Sequence, residues 1–461
     1  MNLLRTGRMA RWDRWAALLL LTAFALAGWK SFDRLPASTF APVTQQGSSS
    51  AGAPGGAIKS PSPARPPLQP RGSNFRFDAS FASAAPGQAV HAASLVELTD
   101  GRLRAVWFSG SREGASDVSI RSAVMDASSL NWSEETAIFD RTRIQKGLWR
   151  YVKKLGNPVI ARAPDGSLIL WMVNVSLGGW AGSAITWAKS LDEGATWSDP
   201  RRLVTSPFLN ISTLVKGAPI AYQDGQIGLP VYHEFVTKFA EVLKINLHGQ
   251  VVDKVRIPGS RTSLQPVLLV SSPERAQIYM RSGKRTALMA SDTGDAGKSW
   301  SATHATAWPN PDSALAGVVS QTGVQWLALN PALRDRETLA LVQSGAGQSF
   351  DGVPPWTVES SPTPGVRASL QAYERLLGDE LKAHGASESQ AKAYVDSAKR
   401  QLCRAGACLQ EFSYPYLLQT RDGYIHLVYT WHRTRIKHVR FDPQQPLPAT
   451  LATVNHAASP H

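Results

Sequence analysis

Two arginines beside predicted strands are the first residues whose chemistry suggests a ligand. Arg281 ends the second strand of a predicted hairpin, and Arg336 precedes a further apolar segment. A guanidinium group presents a planar fork of donors that matches a carboxylate, so both side chains are candidates for binding an acidic ligand. A single arginine is more often a solvated or ion-paired surface residue. The elements around the two side chains must therefore show whether they form a binding site.

Carboxyl and phenol groups with catalytic potential lie in two other segments. Residues 108–117 form a polar loop that contains Arg112, Glu113 and Asp117. Either carboxyl group could serve as a general acid or base, although a solvated turn with an Arg–Glu pair explains the same residues. Tyr414 opens a later apolar segment. A phenol acts as a nucleophile only beside a base, because its ordinary pKa is about 10.

An eight-residue pattern that occurs twice indicates which elements carry these groups. Residues 190–197 and 293–300 both read Ser/Thr-x-Asp-x-Gly-x-Ser/Thr-Trp, and a serine follows each copy. Asp192 and Asp295 can accept backbone N–H bonds across a tight turn, and the glycine two residues later adopts a left-handed conformation at little cost. The tryptophan supplies a large apolar group to bury. The pattern therefore predicts a repeated β-hairpin.

A longer pattern, consisting of an apolar strand, a turn and a second apolar strand, occurs six times along the chain. Four copies turn at Asp-Gly, which is the strongest short hairpin signal, and their spacing is typical of propeller blades. The copies are Ala93–Phe108, Pro158–Val173, Ala218–Tyr232, Pro266–Arg281, Ala316–Asn330 and Pro415–Thr430. The sequence therefore predicts an all-β, six-bladed β-propeller. We expect a strand near residues 75–81 to close the last blade, and a helical insertion at about 366–408 to precede that blade.

The eight-residue pattern is identified as an Asp-box, and the chain resembles the sialidase-type β-propellers with BNR repeats over roughly residues 76–445. Shorter segments resemble a bacterial sialidase-like subgroup. The resemblance implies a sialidase-like fold with a pocket in which three arginines bind the substrate carboxylate. Arg281 and Arg336 match the second and third of these arginines. His91 occupies the place of the first, and a histidine lacks the fixed charge of an arginine.

The resemblance also implies the catalytic groups. Tyr414 matches the nucleophile of the family, and Asp117 matches the acid/base, with Glu113 as its rival. Gln265 lies where the family has the glutamate that activates the tyrosine, and an amide cannot accept the phenol proton. Glu411 is a candidate substitute for that base, although it lies outside the family position.

Further polar residues lie at comparable inner positions of the predicted blades. Besides Arg281, Arg336 and His91, the candidate substrate-binding set contains Arg112, Asn310 and Glu234. Glu234 is also a second candidate substitute for the missing base. Lys216, Ser313, Asn330, His426 and Arg433 share this placement without an assigned role. We expect neither a metal ion nor a cofactor.

The charge of the chain does not indicate nucleic-acid binding. The 461 residues carry a formal net charge of +14. About half of this excess lies in residues 1–73, and the remainder is spread thinly without a basic run. The expected partner is instead a glycan or an acidic sugar.

The amino terminus has the features of a membrane-targeting segment. Four arginines precede an apolar run at residues 15–29. The bounding tryptophans and the long linker favour an uncleaved anchor, although Ala25-Leu26-Ala27 offers a cleavage site. We expect a signal anchor at residues 1–35, a Pro/Ser/Gly-rich linker at 36–72, the propeller at 73–445 and a flexible tail at 446–461. The propeller would then be exported, anchored to the inner membrane and located on its periplasmic or outer side.

The sequence contains two cysteines, Cys403 and Cys408, which lie close together. In an exported protein such a pair favours a disulfide, with two free thiols as the alternative. A metal site would need further ligands nearby. We therefore expect a small disulfide-closed loop.

Three functions are compatible with these patterns. The first is a sialidase-superfamily glycoside hydrolase, exo-α-sialidase-like, that acts on an acidic envelope or extracellular glycan. The second is a non-catalytic carbohydrate-binding propeller, which His91 and Gln265 favour. The third is a polysaccharide-assembly scaffold without a pocket. The patterns do not predict the sugar, the linkage or the oligomeric state.

Overall fold

The computed structural model describes residues 15–25, 38–42, 64–71, 75–206 and 210–448. The chain divides into two units, Met1–Thr39 and Phe40–His461. In the first unit, residues 15–25 are helical and exposed. Among the described helices, none has the length and apolar character needed to span a membrane. The rest of the predicted anchor, most of the predicted linker and most of the predicted tail lie outside the described residues.

In the second unit, the described residues form six large antiparallel sheets that follow one another in chain order. Sheet I contains Ala89–Glu97, Leu103–Gly110, Ser119–Met125 and Thr136–Phe139. Sheet II contains Lys154–Arg162, Leu168–Val175, Ser183–Ser190 and Arg201–Arg202. Sheet III contains Leu214–Val215, Ile220–Ala221, Ile227–His233, Phe239–Ile245 and Val251–Arg256. Sheet IV contains Ser263–Val270, Ala276–Ser282, Ala287–Thr293 and His304–Pro309. Sheet V contains Ala316–Val319, Gln325–Leu329, Thr338–Ser344 and Trp356–Ser360.

Sheet VI combines strands from both ends of the second unit. It contains Phe412–Gln419, Ile425–Trp431, Arg435–Phe441, Phe75–Phe81 and Gln69–Arg71. The early strand pairs with the last one, with Phe77 opposite Phe441. The ring of Phe75 packs 4.4 Å from that of Trp356 in sheet V. The predicted pairing of the strand near residues 75–81 is therefore confirmed.

Six apolar cores hold the described sheets together, one between each neighbouring pair. The sixth core lies between sheets VI and I, where Val428 and Ile436 pack with Trp107. The other five lie between sheets I and II, II and III, III and IV, IV and V, and V and VI. Because neighbouring sheets cover both faces, the first two strands of sheets I, II and IV are buried along most of their length, whereas outer strands such as Val251–Arg256 are more exposed.

The two Asp-boxes form the predicted tight turns. Asp192 accepts hydrogen bonds from Thr196 N at 2.9 Å and from Thr196 Oγ1 at 2.5 Å, and Gly194 has a φ of 84°. These hydrogen bonds lower the pKa of Asp192 to about 2. Asp295 makes the same two contacts with Ser299. Local side-chain bonds thus fix these turns, as the sequence pattern predicts.

The connection between sheets V and VI contains the predicted helical insertion. Its helices are Leu370–Ala383 and Glu388–Leu402, and Ser369 and Ser387 cap their N-termini. The side chains at helical spacing on the first helix enter the core shared by sheets V and VI; they are Tyr373, Leu377 and Leu381. A short helix, Arg141–Leu148, and a 3₁₀ turn, Trp180–Gly182, lie elsewhere.

A disulfide closes the carboxyl end of the insertion. Cys403 and Cys408 are bonded to each other, as the sequence predicts. They belong to a small three-stranded sheet of Ala368–Ser369, Cys403–Arg404 and Ala407–Cys408. The chain enters sheet VI directly after this sheet.

Candidate functional site

The first strands of four sheets share a β-bulge close to the residue at which each strand begins. Each bulge contains one non-glycine residue with a left-handed φ: Ala92 (54°), Asn157 (41°), Gln265 (48°) and Tyr414 (53°). L-amino acids rarely adopt this conformation, so it persists only where the surrounding structure holds it. A bulge also changes the direction of a side chain. The bulges therefore set the directions of Gln265 and Tyr414.

Glu411 is the centre of an ion-pair cluster beside these bulges. Its carboxylate accepts hydrogen bonds from Arg433 Nε at 2.8 Å, Ser413 Oγ at 2.7 Å and Arg336 Nη1 at 3.3 Å. Only 7% of Glu411 is exposed. Burial raises the pKa of this carboxyl, but the charges of Arg336 and Arg433 outweigh burial and hold the pKa well below its usual range. Glu411 therefore stays ionised and fixes two guanidinium groups.

Arg281 provides a third guanidinium group. Its Nε donates to Asp312 Oδ1 at 2.7 Å, and its Nη1 donates to Gln265 Oε1 at 2.8 Å. Burial lowers the pKa of Arg281, but the nearby Tyr414 and Asp312 raise it above its ordinary value. The side chain is therefore a fixed cation.

Asp312 connects Arg281 to the Glu411 cluster. Its main-chain carbonyl accepts a hydrogen bond from Arg336 Nη2 at 2.9 Å, while its carboxylate pairs with Arg281. Asp312 has a φ of 61°, another left-handed residue next to the site. Arg281, Arg336 and Arg433 therefore belong to one network, held by the side chains of Asp312 and Glu411.

Both polar ends of the Gln265 side chain have partners. Its Oε1 accepts from Arg281, and its Nε2 donates to the Tyr232 hydroxyl at 3.4 Å. Asn157 Nδ2 donates to the same hydroxyl at 3.1 Å. Burial raises the pKa of Tyr232 well above its ordinary value, so this phenol stays neutral. Gln265 thus positions its neighbours, and its amide cannot take up a proton.

Tyr414 lies between His91 and Arg336. The rings of Tyr414 and His91 are 4.1 Å apart between centroids, and Arg336 Cζ lies 5.7 Å from the centroid of the tyrosine ring. Burial, followed by the charge of Arg433, lowers the pKa of His91 well below its ordinary value, so the imidazole is neutral. Across the described part of the chain, the Tyr414 hydroxyl has no hydrogen-bond partner.

Glu234 and Glu113 are the carboxyl groups that border the network. Burial raises the pKa of Glu234, although Lys238 and Arg281 lower it in part. Its main-chain N–H donates to Ser212 Oγ at 2.8 Å. Glu113 is 39% exposed, and its Oε2 lies 3.8 Å from Arg433 Nη1. The Glu113 carboxyl therefore lies beside Arg433, and the charge of Arg281 acts on the pKa of Glu234.

Three predicted site residues make other contacts. Asp117 accepts hydrogen bonds from Ser111 N at 2.9 Å and Ser111 Oγ at 3.0 Å, so its carboxylate closes its own loop. Arg112 is exposed on the same loop. The buried Asn310 side chain accepts from Ser313 N at 3.1 Å and donates to Ser313 O at 3.0 Å. Asn310 therefore holds the turn that carries Asp312.

The network also contains residues to which the sequence patterns gave no role. Arg433 appeared only as one of several inner polar residues, and Asp312 and Tyr232 were not singled out. Arg433 could have been found from its position three residues after the last predicted hairpin, which ends at Thr430. The turn Asn310–Ser313, with its Asn-Pro-Asp sequence, offered the corresponding signal for Asp312.

A cavity of about 180 Å³ lies at the other ends of the first strands, and Arg281, Arg336 and Arg433 are not among its lining residues. Its lining is mostly apolar and includes Val96, Val270 and Val319. The network of charged and polar groups lies at the bulged ends instead. On chemical grounds the candidate site is therefore the arginine network.

Comparisons with known proteins identify the class of protein that this fold and network define. The model of the BNR repeat-like domain family matches residues 101–427. The chain therefore belongs to this family and has the BNR-repeat fold of the sialidase superfamily. No curated protein matches the chain by sequence.

Three solved structures with this fold are sialidases or trans-sialidases by name. The Hadza microbial sialidase Hz136 is 13% identical with a TM-score of 0.56, and the match covers 77% of this chain and 66% of that one. NanB sialidase from Streptococcus pneumoniae is 10% identical with a TM-score of 0.56, covering 82% and 71%. The intramolecular trans-sialidase from Ruminococcus gnavus is 13% identical with a TM-score of 0.55, covering 79% and 97%. At these identities the likeness shows the fold alone.

Proposed function

We propose that the six sheets form a six-bladed β-propeller and that the arginine network binds the carboxylate of an acidic sugar. The six cores between successive sheets, including the one between sheets VI and I, support a closed ring. The fold shared with solved sialidases supports a sugar ligand. The ligand would belong to an envelope or extracellular glycan.

The observation that carries this proposal is the set of three arginines fixed before any ligand binds. Glu411 holds Arg336 and Arg433, and Asp312 holds Arg281. Among the described residues, the Nη2 atoms of Arg281 and Arg433 have no hydrogen-bond partner, which leaves donors for a ligand. Side chains that are already ordered lose little entropy on binding, and the guanidinium fork matches a carboxylate.

The proposed reaction is hydrolysis of the glycosidic bond by an exo-α-sialidase-like mechanism. The Tyr414 oxygen would attack the anomeric carbon and lose its proton to water, while a carboxyl group protonates the departing glycosidic oxygen. The resulting carboxylate would then take a proton from the water molecule that releases the sugar from the tyrosine. Glu234 is favoured for protonation, because its raised pKa suits a general acid. Glu113 is the second candidate, in place of Asp117. Because Gln265 cannot accept the phenol proton, we expect slow turnover of simple aryl sialosides.

A non-catalytic carbohydrate-binding role is the second candidate function. Gln265 favours it, because its amide is bonded to Arg281 and Tyr232 and supplies no base. The arginine network would bind an acidic sugar equally well without turnover. The two functions therefore share the binding site and differ in whether the bound sugar is hydrolysed.

Calorimetric titration of the full chain with N-acetylneuraminic acid and D-glucuronic acid tests the shared site. We expect one of these sugars to bind, and Arg281→Ala or Arg336→Ala to weaken binding by about tenfold or more, because each removes a charged hydrogen-bond donor. Arg285→Ala is the matched control, since Arg285 is exposed on a neighbouring turn. Equal affinity in all these variants would contradict the proposed site.

Hydrolysis of an aryl sialoside separates the two functions. In a hydrolase, Tyr414→Phe should remove turnover and leave binding largely intact, because only the phenol oxygen is lost. Binding without any turnover in the wild-type chain would favour the carbohydrate-binding role. Brisk wild-type turnover would show that another group replaces the missing base.

We also propose that the protein is exported and anchored to the inner membrane with the propeller on the periplasmic or outer side. The apolar run at residues 15–29, preceded by four arginines, supports this location. An acidic envelope or extracellular glycan would be accessible from that side.

A further inference from the structure

The loop that carries Arg433 has an unfavourable backbone conformation. It joins the strands Ile425–Trp431 and Arg435–Phe441 of sheet VI. His432 and Arg433 have φ values of 48° and 56°, so two consecutive non-glycine residues are left-handed. L-amino acids disfavour this conformation. One bond within the turn, from Thr434 N to the Trp431 carbonyl at 3.1 Å, supports it, and contacts from neighbouring elements add to this support.

The helical insertion supplies side-chain contacts to this loop. Gln401 Nε2 donates to the Arg433 carbonyl at 3.1 Å, and the Tyr373 hydroxyl lies 3.0 Å from His432 Nδ1. The hydroxyl of Thr434 donates to the carbonyl of Tyr394 at 3.1 Å. Each of the three loop residues is thus bonded to one of the two helices of the insertion.

The sheets also contact this loop. Val90 N donates to the Arg433 carbonyl at 3.0 Å, and His432 N donates to the Glu411 carbonyl at 2.8 Å. These bonds fix the main chain at two points. Phe412 and Trp431 of sheet VI pack against the His432 ring, with centroids 5.0 Å and 4.5 Å away. The insertion adds the hydrogen bond between the Tyr373 hydroxyl and this ring.

We propose that Tyr373 and Gln401 are positioning residues that hold Arg433 against Glu411, so that the insertion completes the anion-binding network. The inference rests on the proposed function of Arg433 as a ligand-binding residue. Neither Tyr373 nor Gln401 touches the ligand. Both act through the His432–Arg433 backbone, and the insertion is thereby coupled to the affinity for an acidic sugar.

Two substitutions remove the proposed contacts with little change in volume. Tyr373→Phe deletes only the hydroxyl and leaves the ring in the core, and Gln401→Leu deletes the donor to Arg433. Gln371→Leu is the matched control, because Gln371 is exposed on the first helix of the insertion. Tyr373→Phe alone keeps the aromatic ring packed in the core. It can replace the double variant in the same measurements if the double variant folds poorly.

Crystal structures of the ligand-free full-length variants give the first measurement. In the variant that combines Tyr373→Phe and Gln401→Leu, we expect Arg433 to leave Glu411 and at least one of His432 and Arg433 to leave the left-handed region. Retention of the Arg433–Glu411 contact with both φ values unchanged would overturn the inference. This measurement does not depend on any sugar.

Titration with N-acetylneuraminic acid and D-glucuronic acid gives the second measurement. We expect Arg433→Ala and the combined Tyr373→Phe, Gln401→Leu variant each to weaken binding by about tenfold to a hundredfold. Adding Arg433→Ala to the combined variant should cause no further loss of affinity, because the substitutions remove one shared contribution to binding.

If Arg433→Ala weakens binding and the combined Tyr373→Phe, Gln401→Leu variant does not, the positioning role is wrong while the proposed function stands. If no acidic sugar binds the wild-type chain, the proposed function fails, and the crystal structures still decide whether the insertion holds Arg433.

Discussion

Lys216 is a buried lysine whose protonation can be tested through its effect on stability. It follows the short strand Leu214–Val215, and residues 216–219 interrupt the first edge of sheet III. Only 2% of the side chain is exposed. Its Nζ donates to the Pro415 carbonyl at 3.0 Å and lies 5.4 Å from the centroid of the Tyr416 ring. Burial lowers the pKa of Lys216 from 10.5 to about 7.

The lowered pKa predicts how stability depends on pH. An unfolded lysine titrates near its ordinary value of about 10.4, and a tenfold change in proton affinity corresponds to about 1.4 kcal/mol. Between about pH 7 and pH 10 the unfolded chain therefore binds a proton that the folded chain does not, so the free energy of unfolding rises with pH. Over about pH 6 to pH 10 the contribution of Lys216 should reach up to about 4 kcal/mol.

The Lys216→Met variant removes this titration and keeps most of the side-chain volume. We expect it to be more stable than wild type near pH 6, because the wild-type chain must there hold a protonated amine away from water. The lost hydrogen bond to Pro415 and the lost contact with the Tyr416 ring would reduce the gain by about 2 kcal/mol in total. The advantage should decrease towards pH 10.

Urea unfolding of both chains at a series of pH values measures the difference in the free energy of unfolding. Lys298→Met is the control, because Lys298 is exposed in an Asp-box turn. A difference between Lys216→Met and wild type that stays constant from about pH 6 to about pH 10 would refute the reasoning, because it would mean that Lys216 does not titrate in this window.

Three further predictions concern Glu411, the base position and the membrane. Glu411→Gln leaves two partly buried arginines without their shared anion, so the free energy of unfolding near pH 7 should fall by about 3 kcal/mol. Because the pKa of Glu411 is depressed, this loss should shrink as pH falls through the acidic range, and an unchanged loss in urea unfolding at low pH would contradict the pairing. Gln265→Glu should raise the turnover of an aryl sialoside, because the new carboxylate can take the phenol proton of Tyr414. Turnover equal to that of the wild type would mean that a carboxylate at position 265 does not act as this base. The full chain should resist salt extraction from membranes and a chain beginning at Ser73 should be soluble, whereas a mature protein beginning at Gly28 would indicate a cleaved signal.

The sequence predicts the repeated hairpins well because local interactions determine them. In each Asp-box the aspartate bonds to a residue four positions later, so the eight-residue pattern contains the whole turn. The apolar strands and Asp-Gly turns likewise follow short-range rules. The helical insertion was predictable for the same reason, since the spacing of Tyr373, Leu377 and Leu381 is that of a helix face.

The composition of the site was harder to predict because its contacts are distant in sequence. Arg433 meets Glu411 across 22 positions, and Arg336 meets Glu411 across 75. The left-handed backbone of Arg433 is imposed by the surrounding fold and has no signature in the residue type. Asp117 was favoured over Glu113 by resemblance, yet its carboxylate bonds within its own loop, while Glu113 faces Arg433.

The two departures from the sialidase pattern differ in whether the rest of the molecule offsets them. His91 lacks a fixed charge, but Val90 bonds to the Arg433 backbone, so an arginine held by Glu411 lies beside this position. Gln265 has no comparable replacement, because within the described residues no group accepts a hydrogen bond from the Tyr414 hydroxyl. Carboxylate binding requires only fixed positive charge, whereas nucleophilic attack by a phenol also requires a base, whose assistance is typically worth about 10²–10⁴-fold. We therefore expect the chain to bind an acidic sugar despite both departures, and to hydrolyse its glycosidic bond slowly because the base is missing.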